Sequence, residues 1–283
     1  MRQAMLKAVL VCWCSIVSTL APAYAAGASA NAAQTLTIGD TFTIESKVMA
    51  ETRRINVYVP EGYATHPDAT MPVMYMPDGG IGEDFLHVAG LMQVSISNGT
   101  MRPFILVGIE NTQRRRDLTP PTGNAEDRKM APVVGGSATF RAFIRDELMP
   151  EVARRYRTSG ETAIVGESLA GLFIVETFLV APEMFDHYLA FDPSLWWNDA
   201  KLLDTVEPML RAHPDMKRTL WLASSDERDI AALTARLGTM LETGAPAGLR
   251  WRYVPMPAEH HWTIYHPAAL QAFRDAFAPP SSE

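Results

Sequence analysis

Two stretches of alternating apolar and polar residues open the regular part of the chain. They are Thr41-Phe42-Thr43-Ile44-Glu45-Ser46-Lys47-Val48 and Arg54-Ile55-Asn56-Val57-Tyr58-Val59, the second stopped by Pro60-Glu61-Gly62. Period-two alternation predicts half-buried strands, and the pair predicts an antiparallel sheet edge. From Pro72 the pattern changes. Largely apolar runs at Pro72–Met76, Phe104–Ile109, Ala163–Val165, His187–Phe191, Thr219–Ser224 and Leu249–Val254 predict strands buried on both faces. Between them, Glu83–Asn98, Ala138–Arg155, Leu203–Arg211, Asp229–Glu242 and Pro267–Phe277 carry apolar residues at helical spacing. In the second of these, Phe140, Phe143, Ile144, Leu148 and Val152 share one face. Strands alternating with helices predict an α/β fold: a mostly parallel sheet with helices on both faces and an antiparallel N-terminal edge. Asn111–Gly136 is polar and rich in Pro and Gly, and reads as one long loop of the kind that often carries function.

The first residues follow a different rule. Arg2 and Lys7 precede an apolar segment, Ala8–Leu20, that is too short to span a bilayer, and Ala23-Tyr24-Ala25 fits a small-x-small cleavage site. Residues 1–25 therefore predict a secretory signal peptide, with Ala28-Ser29-Ala30 as a second cleavage option and a periplasmic or secreted product. Both cysteines, Cys12 and Cys14, fall inside this segment, so the mature chain would carry no thiol and no disulfide. Residues 26–40 read as a flexible lead-in and 41–279 as a single domain. The formal charge of −7 becomes two units more negative when Arg2 and Lys7 leave with the signal. With no long basic tract, nucleic acid and anionic membrane surfaces are poor partners, and a small-molecule substrate is expected.

Chemistry enters at Gly166-Glu167-Ser168-Leu169-Ala170-Gly171. A β-branched run ends in a tight turn with Ser168 at its tip, and a helical pattern follows. That is the layout of a nucleophile elbow, in which the residues two before and two after the serine must be small. Gly166 satisfies this, while Ala170 stands where glycine is usual. A serine hydroxyl needs a histidine to take its proton and a carboxylate to hold that histidine. Each should follow a strand, because strand C-termini share one edge of such a sheet. Among the histidines, His261 lies at the right distance after the last strand, ahead of its neighbour His260, with His266 third. For the acid, Glu227 and Asp226 follow the strand at Thr219–Ser224 and rank close together, with Asp192 a distant third. The oxyanion is expected to be held by the N–H of Leu169 and one from Gly79 or Gly80. No cofactor or metal is expected: Glu259, His260, His261 and His266 lack the H-E-x-x-H spacing of a zinc site.

Several short segments then carry a resemblance. Tyr75-Met76-Pro77-Asp78-Gly79, Val107-Gly108-Ile109-Glu110-Asn111, Arg116-Asp117-Leu118-Thr119-Pro120, Phe143-Ile144-Arg145-Asp146-Glu147-Leu148, Gly166–Leu172, Pro193-Ser194-Leu195-Trp196-Trp197 and Glu259-x-His261 occur in one order between Val57 and Phe277. Together they resemble the esterase family of α/β-hydrolases that contains enterochelin-type siderophore esterases, esterase D and the antigen 85 mycolyltransferases, and the siderophore-esterase branch above all. The resemblance implies an α/β-hydrolase fold with Ser168 as nucleophile and His261 as base. It also implies ester hydrolysis, possible in some relatives with a Ser-His dyad alone. For substrate binding, Arg116, within Arg114-Arg115-Arg116, is a candidate anion clamp, and Trp197 and Trp262, with Trp196, are candidates for an aromatic pocket. An acyltransferase, a feruloyl or acetyl carbohydrate esterase, or a non-catalytic siderophore binder would share these features.

Overall fold

Apolar runs lie within the strands from the third onward, and the computed structural model, which describes residue 33 and residues 35–280, sets these strands in one sheet. Strand β1 (Asp40–Ser46) pairs antiparallel with β2 (Glu51–Tyr58), and β2 antiparallel with β4 (Ile105–Ile109). Strands β3 (Met71–Pro77), β5 (Thr158–Glu167), β6 (His187–Phe191), β7 (Thr219–Ser224) and β8 (Arg250–Pro255) complete an eight-stranded sheet in the order β1-β2-β4-β3-β5-β6-β7-β8. All pairings from β4 to β8 are parallel. This is the α/β-hydrolase fold that the alternation of elements predicts. The signal peptide, its two cysteines and most of the lead-in lie outside the described residues.

Side-chain alternation divides the core between the two faces of the sheet. In β5, Ile164 packs into one apolar cluster while Ala163 and Val165 pack into the other. The first face is covered by α5 (Leu169–Val180) together with α3 (Ser137–Phe143), α6 (Val206–Ala212) and α7 (Arg228–Gly244). The second is covered by α1 (Phe85–Ser97) and α8 (Tyr265–Ala276). Helix α5 is apolar all round because it is buried all round: Leu172, Phe173, Ile174, Val175 and Phe178 have no exposed surface. Each such side chain contributes on the order of 2 kcal/mol of burial. Ser168, half-buried at the N-terminus of α5, is thereby held by a helix fixed in the core.

Two segments differ from the sequence pattern. The helix expected over Ala138–Arg155 is interrupted: α3 passes through a wide π turn at Ile144–Leu148 into α4 (Met149–Arg155). Pro150 supplies the reason, because its ring cannot pack against the carbonyl four residues earlier and it has no N–H to donate, so the turn before it widens. The loop 111–136 holds a short helix α2 (Arg114–Leu118) and a single 3-10 turn at Asp127–Lys129. Ion pairs order it, and periodicity carries no signal for those.

Candidate active site

Ser168 sits between β5 and α5 with φ 63° and ψ −121°, a region that costs a non-glycine residue about 1–3 kcal/mol. Its neighbours fix the conformation. The Ser168 N–H donates to Phe191 O at 3.0 Å, and Ser168 O accepts from Leu172 N at 2.9 Å and Ser194 N at 3.1 Å. A Cβ on Gly166 would lie 2.6 Å from the Cβ of Ala170. The turn thus tolerates one methyl across the elbow, and this chain carries it on Ala170.

The Ser168 Oγ lies 3.1 Å from Nε2 of His261, and Nδ1 of the same ring lies 2.8 Å from Asp192 Oδ2. A carboxylate only accepts, so Nδ1 bears the hydrogen and Nε2 is left to accept from the serine hydroxyl. Asp192 follows β6 and has no exposed surface. Its charge is held by Ser225, whose N–H donates to Oδ1 and whose Oγ donates to Oδ2, both at 2.6 Å.

The acid beside His261 is therefore Asp192, a correction to Glu227 and Asp226. Asp226 accepts from or pairs with the neighbouring histidine, His260, at 2.8 Å, with both side chains about half exposed. Glu227 opens α7 with its N–H on Ser225 Oγ, and its side chain faces solvent. The decisive feature is the adjacency of β6 and β7, which brings Ser225 under Asp192. One signal was present in the chain: Asp192 directly ends an apolar strand, where a lone carboxylate must be buried and satisfied.

A second carboxyl, missed in the sequence, reaches the same nitrogen: Glu167 Oε1 lies 3.3 Å from His261 Nδ1. Burial, reinforced by the nearby Asp192, pushes Glu167 up to about 8, so it is largely protonated at neutral pH. The hydrogen bond that His261 Nδ1 donates to Asp192 raises the His261 pKa above its ordinary value, against the opposing effect of burial. Glu167, Asp192 and His261 also offer three atoms within 4.8 Å of one another, as a metal site would. The donor set suits a metal poorly, because the Nδ1 position carries hydrogen and Asp192 is already saturated by Ser225.

Leu169 is the first residue of α5, so its N–H has no intrahelical acceptor. Gly79 and Gly80 stand differently. The Gly79 N–H donates to Ile109 O at 2.9 Å, and a Cβ on Gly79 would lie 2.2 Å from Ile109 N, so this glycine serves the close approach of the loop to β4. The Gly80 N–H donates to Glu83 Oε2 at 2.7 Å. Gly79 is thus committed, and Gly80 becomes a free donor only when Glu83 withdraws.

Beside His261 lies a cleft of about 380 Å³ lined by Trp196, Glu227, Asp229, Ile230, His261 and Trp262. Trp262 is 83% exposed and stacks on His260. Trp197 does not reach the cleft: it is 1% exposed and donates its indole N–H to Pro120 O at 2.9 Å, anchoring the long loop. Trp196 takes the place expected of it. Arg116 is also redirected. Its guanidinium pairs with Glu51 and Asp117, both at less than 3 Å, and it is absent from the cleft lining. Arg114 is clamped by both oxygens of Asp78 at 2.7 and 2.9 Å.

The sequence matches the family described as "Putative esterase" over residues 46–274. It is 29% identical to the ferri-bacillibactin esterase BesA of Bacillus subtilis over 56% of this chain, and 23% identical to the iron(III) salmochelin esterase of Escherichia coli over 80%. These matches span 59% and 53% of the lengths of those two proteins. The crystal structure of an IroE-like serine hydrolase from Shewanella oneidensis superposes with a TM-score of 0.76 at 31% identity, covering 84% of this chain and 80% of that one. The siderophore hydrolase EstB from Aspergillus nidulans shares the fold, with a TM-score of 0.73 at 22% identity over 89% of this chain and 99% of its own.

Proposed function

The chain belongs to this esterase family, and from that premise we propose that it is a serine carboxylic ester hydrolase acting on siderophore-type esters. The observation that carries the reading is the continuous line from Ser168 through His261 to Asp192, at 3.1 and 2.8 Å. Ser168 Oγ attacks the ester carbonyl while His261 Nε2 takes its proton. Asp192 keeps the ring in the competent tautomer and stabilises the imidazolium. The Leu169 N–H holds the developing oxyanion, joined by the Gly80 N–H once Glu83 releases it. The imidazolium then gives its proton to the departing alcohol, which leaves an acyl group on Ser168. Water, deprotonated by His261, cleaves that acyl-enzyme and restores the serine.

The relatives' activities on ferri-bacillibactin and iron(III) salmochelin support a siderophore-type ester as substrate. The aromatic rims at Trp196 and Trp262 suit a bulky acyl group. Export follows from the sequence features of residues 1–25, and N-terminal sequencing of the protein from the periplasmic fraction tests it. Hydrolysis of p-nitrophenyl acetate and butyrate by the wild type, beside Ser168→Ala, tests the chemistry. Activity and fluorophosphonate labelling are both expected to vanish in the variant. Labelling that persists in Ser168→Ala overturns the proposal.

A further inference from the structure

The cleft beside His261 is walled by carboxylates and apolar side chains, with no arginine or lysine in its lining. Two of its six lining residues, Glu227 and Asp229, are carboxylates on the first turn of α7 and its cap. Neither has an ion-pair partner among the described residues. The remaining walls are the two indoles, Ile230 and the His261 ring. Glu227 is close enough to favour the charged form of His261, so its field reaches the reacting centre. The nearby cationic side chains are paired with other carboxylates, and no arginine or lysine lines the cleft. Arg114 is clamped on Asp78, and Arg116 is shared between Glu51 and Asp117. Arg228, between the two carboxylates in sequence, is not part of the lining.

We infer that Glu227 and Asp229 set substrate charge, so that the cleft accepts esters whose groups near the scissile bond are uncharged or cationic and rejects anionic ones. This rests on the esterase reading above and narrows it. Among iron-chelating esters, it favours an electroneutral chelate such as a tris-hydroxamate over a tris-catecholate, which carries net negative charge. Glu227, which ranked among the first candidate triad acids, would act instead with Asp229 on the incoming substrate. Repulsion between unit charges roughly 7 Å apart in water corresponds to about threefold in rate per carboxylate, hence about tenfold for the pair at low salt.

The test uses 4-methylumbelliferyl esters of equal acyl length ending in a methyl, a carboxylate or a trimethylammonium group. The readout is the ratio of kcat/KM values within each protein. Wild type at low salt is expected to favour the neutral over the anionic ester by about tenfold and to use the cationic ester at least as well as the neutral one. Raising the salt should shrink the discrimination. In Glu227→Gln/Asp229→Asn the anionic-to-neutral ratio should approach one. Equal use of anionic and neutral esters by the wild type overturns the inference, as does discrimination that survives in the double variant. The salt series needs no variant, so a folding defect cannot mask the answer. Absence of Ser168-dependent turnover of the neutral ester would instead overturn the esterase reading itself.

Discussion

Asp192 Oδ2 lies 2.8 Å from Nδ1 of His261 across 69 residues of chain, and no solvent reaches the carboxylate. The contact exists because β6, β7 and the loop after β8 meet at one edge of the sheet, where Ser225 secures Asp192 from below. Asp192→Asn preserves the shape but offers His261 an amide that can hold the wrong tautomer. A fall in kcat on the order of 10³-fold or more on p-nitrophenyl butyrate is expected, with the far-UV circular dichroism unchanged. Glu227→Gln and Asp226→Asn should cost far less kcat on the same ester. A larger loss in either one would return the acid to the loop after β7.

The pH profile follows from the protonation of His261. The ring accepts a proton from Ser168 only when neutral, and its pKa is raised above 6.5 by the hydrogen bond it donates to Asp192. The kcat/KM of an uncharged ester should therefore rise with pH, with its midpoint above that value. Because Glu167 is largely uncharged at neutral pH, Glu167→Gln should leave the midpoint of this limb little changed.

The same substitution has a stability signature. With a folded pKa of about 8 against an ordinary 4.5, Glu167 contributes its full stability below 4.5 and loses it as pH rises through about 8. Glu167→Gln should then be more resistant to heat than the wild type at about pH 8.5, the advantage vanishing near pH 5. Thermal scans at the two pH values decide this.

The strands and most helices were legible because their signal is local: apolar runs and three-to-four spacing survive whatever the rest of the chain does. Ser168 and His261 were legible for a related reason, since one directly follows a strand and the other lies in the loop after the last strand, and the structure sets them in hydrogen-bonding contact. Asp192 ranked third because choosing among acids requires knowing which strands are neighbours and which donors stand beneath each carboxylate. The exposed pair Asp226-Glu227 looked equally suitable in sequence. Trp196 and Trp197 could not be separated either, because one residue's rotation decides which indole faces the cleft and which binds Pro120 O. The arginine loop was misread because charge in a sequence says nothing of partners such as Glu51, which lies 65 residues from Arg116.

The elbow makes a prediction that isolates its one departure from the usual pattern. Gly166→Ala would bring two Cβ atoms to 2.6 Å, and the elbow backbone would have to move. Activity and stability should both collapse. Ala170→Gly alone should keep kcat within about twofold and lower stability by about 1 kcal/mol, the helix-propensity cost of glycine. The pair Gly166→Ala/Ala170→Gly should recover much of what Gly166→Ala loses, because the clashing methyl is gone. Failure of that rescue in a double-mutant cycle would show that Gly166 is required for some other reason.

The long loop over α2 makes the last prediction. Arg53 is fully buried and donates to Asp117 Oδ2 at 2.6 Å, to Glu51 Oε1 and Thr112 Oγ1 at 2.8 Å, and to Glu110 O at 3.0 Å. Arg116 completes the network from the loop side. Asp117→Ala leaves the Arg53 guanidinium buried and short of a partner, and should cost about 3–5 kcal/mol in urea unfolding. Arg116→Ala should cost less, because part of that side chain reaches solvent. Glu51 adds a pH signature. Burial raises its pKa, but hydrogen bonds from Arg116, Arg53 and Thr112 prevail and hold it at about 2. Its contribution is therefore full above the ordinary 4.5 and lost as pH falls toward about 2. Glu51→Gln should flatten the acid limb of the stability curve. If Arg116→Ala instead leaves stability intact and raises KM for an anionic ester, the arginine serves the substrate, and both its structural role and the charge selectivity assigned to the cleft fail together.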